Sequence, residues 1–100
     1  MAKYKIVFAK RVDQMLMRHV EFLSRVSIPA AKQFYKEFEE IIHRMGDNPF
    51  QFPPEEDQNL PTGYRKAIFA KRYKAVFLVR DTTAYLDAVV DCRMDTRNTF

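Results

Sequence analysis

Basic side chains are concentrated in the C-terminal part of this 100-residue chain. Residues 1–59 hold nine Lys and Arg against nine Asp and Glu, whereas residues 60–100 hold eight against four, so the formal net charge of +4 belongs to the second segment. Guanidinium and ammonium groups bind phosphate and stabilise the charge that develops on it when a phosphoryl bond breaks. The segment therefore predicts a platform for a polyanion rather than a pocket for a small molecule.

We expect β-strands to hold these basic side chains in position. Period-two patterns predict strands over residues 64–69, 73–80 and 84–93, joined by two tight hairpins. Alternation predicts a core-facing set and an outward set. The predicted core-facing residues are Tyr64, Lys66, Ile68, Tyr73, Ala75, Phe77, Val79, Ala84, Leu86, Ala88, Val90 and Cys92. The predicted outward residues are Arg65, Ala67, Phe69, Arg72, Lys74, Val76, Leu78, Arg80, Tyr85, Asp87, Val89, Asp91 and Arg93.

The outward set predicts a nucleic-acid surface. Arg72 and Arg80 would hold a phosphate backbone, while Tyr85 and Phe69 would be free to stack on bases. For Asp91 two interpretations stay open: a cross-strand ion pair that stabilises an exposed sheet, or a group that orients or deprotonates a nucleophile beside the arginines.

The rest of the chain supplies the elements behind this sheet. Alternation over residues 4–8 predicts a first strand, and apolar residues at helical spacing predict a helix over residues 10–26. Ser27 and Pro29 suit the start of a second helix, which Gly46 is expected to stop. We therefore predict one α+β domain spanning residues 1–100, in which a two-helix hairpin packs on one face of a four-stranded sheet whose last three strands are antiparallel.

Other kinds of site are not indicated. His19 and His43 fall on different helices without ligands at metal spacing, so no metal site is predicted. Two glycines cannot build a phosphate loop, and no cofactor is expected. The lone Cys92 excludes an intrachain disulfide and favours a reducing cytoplasm. No run approaches the roughly 20 apolar residues that cross a bilayer, and the N-terminus lacks a signal-peptide core, so no membrane association is expected.

Three motifs lie in order along the C-terminal segment: Leu60-Pro61-x-Gly-Tyr-Arg, Arg72-Tyr73-Lys-x-Val-Phe-x-Val-Arg-Asp81 and Val89-Val-Asp-Cys-Arg-x-Asp95. Together with the preceding strand and two helices, they resemble the RelE/ParE superfamily of type II toxin-antitoxin toxins. The likeness covers nearly the whole chain. It implies a small toxin that a cognate antitoxin neutralises.

The resemblance also implies roles for single residues. Arg65 and Ala67 stand where the RelE pattern has two lysines, Lys74 where the next strand has an arginine, and Arg93 where a late arginine lies. Phe100 falls near the terminal tyrosine of that pattern and cannot donate a proton. Arg65 and Arg93 would then contact the scissile phosphate and Lys74 would stabilise its developing charge, with Asp91 as a speculative base.

Three functions follow from this resemblance. RelE-like members cut messenger RNA in the ribosomal A site, which would make the chain a metal-independent endoribonuclease with the ribosome and mRNA as partners. ParE-like members act on DNA gyrase and are not nucleases. An inactive relative would serve only as a co-repressor with its antitoxin. RNA cleavage is the first expectation, by a small margin over gyrase inhibition.

The predicted outer sheet face is unusually apolar for a solvated surface, because Val76, Leu78 and Val89 point outward with Tyr85 and Phe69. Such a face needs a cover. An antitoxin helix or strand whose acidic residues meet the arginines is the expected cover, and a homodimer is the alternative.

Overall fold

The elements follow the predicted order, strand, two helices and three strands. The computed structural model describes residues 3–93. Its strands are β1 (Lys5–Phe8), β2 (Arg65–Phe69), β3 (Tyr73–Arg80) and β4 (Thr83–Asp91), and its helices are α1 (Lys10–Val26) and α2 (Ile28–Asp47), with a 3-10 turn at Pro49–Gln51. The predicted α+β class is confirmed, and the predicted boundaries lie close to the observed ones.

One residue ends the first helix and begins the second. The Ser27 backbone N–H donates to Leu23 O at 2.7 Å, and the Ser27 hydroxyl oxygen accepts from the Ala30 N–H at 3.3 Å. Pro29 lies in the first turn of α2, where a missing N–H leaves no hydrogen bond unmade. Gly46, expected to stop α2, lies inside it, because the helix ends one residue later.

The sheet has the order β1-β4-β3-β2, with β1 parallel to β4 and the other pairs antiparallel. Both helices pack on one face. Their buried residues Val12, Leu16, Leu23, Ala31, Phe34, Phe38, Ile41 and Met45 meet Ala67, Phe69, Tyr73, Ala75, Phe77, Ala84, Leu86 and Val89 from the sheet. Among the residues described, no helix combines the length and the apolar character needed to cross a membrane.

Strand β2 faces the opposite way from the prediction. Ala67 pairs with Ala75 and Phe69 pairs with Tyr73, and all four belong to the core under the helices. Ile68 lies on the other face and is exposed. Lys66 and Ile68 were expected inward and Arg65, Ala67 and Phe69 outward, so the prediction for this strand is wrong.

The cause is the length of the turn between β2 and β3. A two-residue turn at Ala70 and Lys71 would have placed Ala67 opposite Lys74. Instead residues 70–72 form a three-residue connection, with Ala70 at φ 49° and Lys71 at φ 69°. A shift of one residue in pairing moves every side chain of a strand to the other face of the sheet.

Strand β4 changes face at a bulge. Val76 pairs with Ala88 and Phe77 pairs with Leu86, so Asp87 is an extra residue without a partner in β3. Ala84 and Leu86 face the helices as predicted.

Beyond the bulge the alternation is inverted. Val89 packs under the helices, whereas Ala88 and Val90 turn to the outer face. Cys92, expected in the core, is exposed. The predicted orientation therefore fails from residue 88 onward, because the bulge adds one residue to the period.

The outer sheet face is covered in part by the chain itself. Residues 52–64, which we call the covering loop, run beside β2, where the Glu55 N–H donates to Tyr64 O at 2.8 Å and the Lys66 N–H donates to Pro53 O at 3.0 Å. Leu60 is buried in a second small cluster with Val76, Ala88 and Val90. The open apolar face expected from the sequence is therefore largely closed.

Candidate functional site

Arg65 is held on the helix side of β2. It pairs with Phe77, a core residue, so its side chain shares the helix-facing side of the sheet. Its Nη1 donates to Phe52 O at 2.8 Å, and its guanidinium carbon lies 4.9 Å from the centre of the Phe50 ring. The side chain thus fastens the 3-10 turn to the edge strand instead of projecting from the outer face.

Lys74 lies on the outer face but beneath the covering loop, where it is 7% exposed. Its Nζ is 2.7 Å from Glu55 Oε2 and 4.0 Å from Asp57 Oδ2. Burial raises the pKa of the Glu55 carboxyl, but the hydrogen bonds from Lys74 and from the Asp57 backbone outweigh burial and leave the pKa below its ordinary value. The lysine charge is therefore compensated inside the chain.

Asp91 and Arg93 form a pair at the end of β4. Arg93 donates from Nη2 to Asp91 Oδ2 at 3.0 Å, from Nε to Oδ1 at 3.2 Å and from its backbone N–H to Oδ1 at 2.9 Å. Arg72 Nε lies 4.0 Å from the same carboxylate. The hydrogen bond from Arg93 lowers the pKa of Asp91 despite its burial. A carboxylate held in this way is a weak proton acceptor, which disfavours the role of base.

The four residues predicted to bind nucleic acid lie in different parts of the fold and do not form one surface. Phe69 is buried against Phe34, with ring centres 5.1 Å apart, so its predicted stacking on a base is wrong. Arg72 is half-buried beside Asp91. Arg80 and Tyr85 are exposed near the β3–β4 hairpin, as predicted.

The expected catalytic residues do not share a plane. Register places Arg65 with the helix-side residue Phe77 and Lys74 with the outer-face residue Val90, so these two basic side chains leave opposite faces of the sheet. The structure brings together only Asp91 and Arg93, with Arg72 nearby. The predicted common anion site formed by Arg65, Lys74 and Arg93 is therefore wrong, and Phe100 lies outside the described residues.

A second polar group, missed from the sequence, forms around the bulge. The Tyr64 hydroxyl donates to the Asp87 carboxylate, and Arg11 Nε donates to the Asp87 backbone oxygen at 2.8 Å. Burial and then the Asp87 hydrogen bond raise the pKa of Tyr64 to about 12. The group ties the covering loop, β4 and α1 together. Alternation alone gave no sign of it, because the bulge brings Asp87 into place.

Side chains of α1 also form hydrogen bonds with backbone carbonyls of β4 beyond the point where β1 ends. The last residue of β1 pairs with Leu86. Beyond it, Arg11 satisfies the Asp87 carbonyl, and His19 Nε2 lies 2.9 Å from Val89 O, which makes that nitrogen the donor. The His19 ring packs 4.9 Å from the Tyr73 ring. These contacts are structural, and within residues 3–93 no cluster of three or more potential ligands could hold a metal ion.

A small cleft lies beside the basic end of the sheet. It encloses about 270 Å³ between the α1–α2 junction and the β2–β3 turn, with Leu23 and Phe34 among its apolar walls and Lys71 and Arg72 among its basic ones. Arg72 links this cleft to the Asp91–Arg93 pair. Glu37 also lines the cleft, so its charged walls are mixed in sign.

No protein-family model matches the chain, and no curated protein matches it. The resemblance to the RelE/ParE superfamily is therefore one of motifs and of element order.

Proposed function

We propose that the chain is the toxin of a type II toxin-antitoxin pair and that it acts by binding a protein target, as ParE-like toxins act on DNA gyrase, without cutting RNA. The resemblance of the three C-terminal motifs, carried on a strand, two helices and three strands, supports the toxin assignment. The observation that carries the choice of mechanism is the separation of Arg65 and Lys74 onto opposite faces of the sheet.

Three further features weigh against RNA cleavage. Ala67 occupies a core position where the RelE pattern has a lysine, so no basic group can be supplied there. Lys74 is neutralised by Glu55. Asp91 is engaged by Arg93. Phosphoryl transfer without a metal needs preorganised cations and a free acid–base group near one phosphate, and these residues are committed elsewhere.

Cleavage of messenger RNA on the ribosome is the second candidate. It is favoured by the proximity of Arg72 and Arg93 at the end of β4, where two guanidinium groups flank Asp91. In that case the ribosome would provide most of the positioning and Arg93 would leave Asp91 to bind phosphate. Both candidates take a cognate antitoxin as partner and place the chain in the cytoplasm, where gyrase and the ribosome are found.

Induction of the chain in bacteria separates these functions. We expect growth to stop, plasmid DNA to lose negative supercoils and the 5′ ends of messenger RNA to stay unchanged. New RNA ends inside open reading frames with normal plasmid topology would replace the proposal with RNA cleavage. Harmless expression with neither effect would leave a co-repressor that works only in an antitoxin complex.

A further inference from the structure

The cleft between the α1–α2 junction and the β2–β3 turn has an apolar inner wall and a charged rim. The inner wall includes Leu23, Phe34 and Tyr73, which are 8%, 1% and 2% exposed. Its volume of about 270 Å³ lies just below the roughly 300 Å³ at which most ligand pockets begin. The cleft therefore has room for a ligand about the size of one amino acid.

The rim of the cleft carries charges of both signs side by side. Glu37 Oε1 accepts from the Ala70 N–H at 3.2 Å, so this carboxylate lies next to the turn that carries Lys71 and Arg72. Lys71 is exposed, whereas Arg72 is half-buried with its Nε 4.0 Å from Asp91 Oδ2. Because Asp91 offsets part of the Arg72 charge, the rim presents chiefly one anion, Glu37, and one cation, Lys71.

Glu37 keeps acceptor capacity for a ligand. Its Oε1 accepts from Ala70, and its Oε2 accepts from Gln33 Nε2 at 3.2 Å. A carboxylate has about four lone-pair sites, two on each oxygen, so each oxygen can accept a further hydrogen bond. The Lys71 ammonium group offers donors on the same rim. The rim thus supplies an acceptor for an ammonium group and a donor for a carboxylate.

We propose that this cleft binds a free α-amino acid with an apolar side chain. The ammonium and carboxylate groups of an α-amino acid are attached to one carbon atom, which matches a rim on which Glu37 and Lys71 are neighbours. The apolar side chain leaves the same carbon atom and would pack on Leu23 and Phe34. This inference concerns the cleft alone and needs no particular toxin activity.

Ligands with a single charge fit less well. An aromatic or fatty acid would bring its carboxylate close to Glu37, and an apolar amine would bring its ammonium group close to Lys71 and Arg72. A peptide terminus also carries only one of the two charges. The mixed rim therefore favours a zwitterion over a simple acid, a simple amine or the end of a polypeptide.

The test compares four probes that differ by one group at a time. L-phenylalanine carries both charges and a ring, 3-phenylpropionate lacks the ammonium group, phenethylamine lacks the carboxylate and glycine lacks the ring. Each would be titrated into the purified chain while the backbone amide signals are followed by NMR. We expect L-phenylalanine to shift the signals of Gln33, Lys71 and Arg72 with a dissociation constant of about 1 mM or below, and each other probe to bind about tenfold or more weakly.

A matched pair of variants tests the carboxylate. E37Q removes the charge but keeps an oxygen that can accept from the Ala70 N–H, whereas E39Q makes the same change at an exposed position of α2 outside the cleft. We expect E37Q to weaken L-phenylalanine about tenfold or more without weakening 3-phenylpropionate, and E39Q to bind both as wild type does. K71M changes an exposed side chain and should weaken these two probes by similar factors.

Unchanged unfolding midpoints of the variants would show that the fold is intact. Absence of saturable shifts, shifts confined to other elements, equal affinity for L-phenylalanine and 3-phenylpropionate, or equal effects of E37Q and E39Q would overturn the proposal. None of these results would bear on the proposed toxin function, because growth arrest and DNA supercoiling are measured separately from amino-acid binding.

Discussion

Lys74 and Glu55 form an ion pair that joins the sheet to the covering loop, with Nζ and Oε2 2.7 Å apart and both side chains almost fully buried. The pair explains why a lysine with an expected role in phosphate chemistry is unavailable for it. It also shows that Glu55, from the acidic run in the covering loop, neutralises the positive charge of Lys74 on β3.

Removing one partner of this pair should destabilise the protein strongly. E55Q would leave the Lys74 ammonium buried with only the more distant Asp57 carboxylate, 4.0 Å away, as a counter-charge, and we expect the free energy of unfolding to fall by about 3 kcal/mol. The double variant E55L/K74M should recover much of that loss, because no charge is then left buried. Urea unfolding measures both. A double variant that is as unstable as E55Q, or less stable, would contradict the pairing.

Stability should depend on pH through the same carboxyl. Because the pKa of Glu55 in the folded protein lies below its ordinary value of 4.5, the pair contributes stability above that value and loses it as pH falls through the lower, folded pKa. Asp91 acts in the same direction. Urea unfolding between pH 3 and pH 7 should show a steeper acid loss for wild type than for E55Q. Parallel curves would show that Glu55 is not responsible.

Tyr64 should be visible as a tyrosine that ionises late. Its pKa of about 12 predicts a step in the ultraviolet absorbance of tyrosinate at high pH that disappears in the Y64F variant. The Y85F variant changes an exposed tyrosine and should keep this step. Because the pKa of Tyr64 is raised on folding, its contribution to stability is present below the unfolded value and is lost as pH rises through the folded one. Survival of the late step in Y64F would refute the Asp87 contact.

The face of β2 can be tested by a matched pair of lysines. A67K would place an ammonium group in the helix-side core and should cost about 4 kcal/mol or more, whereas I68K lies on the exposed outer side and should cost about 1 kcal/mol or less. Urea unfolding of both variants gives the comparison. A tolerated A67K and a damaging I68K would restore the register predicted from alternation.

The sequence was sufficient for the elements, because their periodicities are local. The Ser27 junction and the inward set of β3, Tyr73, Ala75, Phe77 and Val79, were predicted and confirmed. The side-chain orientations of β2 and of the end of β4 were predicted wrongly. The turn before β3 is one residue longer than expected and β4 contains one bulged residue, and each extra residue moves the following or preceding side chains to the opposite face of the sheet. Val89 and Val90 are both apolar, so the pattern around Asp87 could not reveal the bulge.

The candidate site was harder to predict because its contacts are distant in sequence. The Asp91–Arg93 pair is local, and its basic and acidic partners were both identified. The Lys74–Glu55 pair and the packing of Leu60 on Val90 depend on where a proline-rich loop folds back, which no local pattern specifies. The basic residues of the strands therefore predicted a phosphate site at Lys74, where Glu55 of the same chain already provides the negative charge.

The most direct test of the proposed function is to add the purified chain to a DNA gyrase supercoiling reaction and, in parallel, to a translating ribosome extract in which the 5′ ends of messenger RNA are mapped. We predict that supercoiling is inhibited and that the RNA stays intact. Active gyrase together with messages cut at ribosome-bound codons would contradict the account.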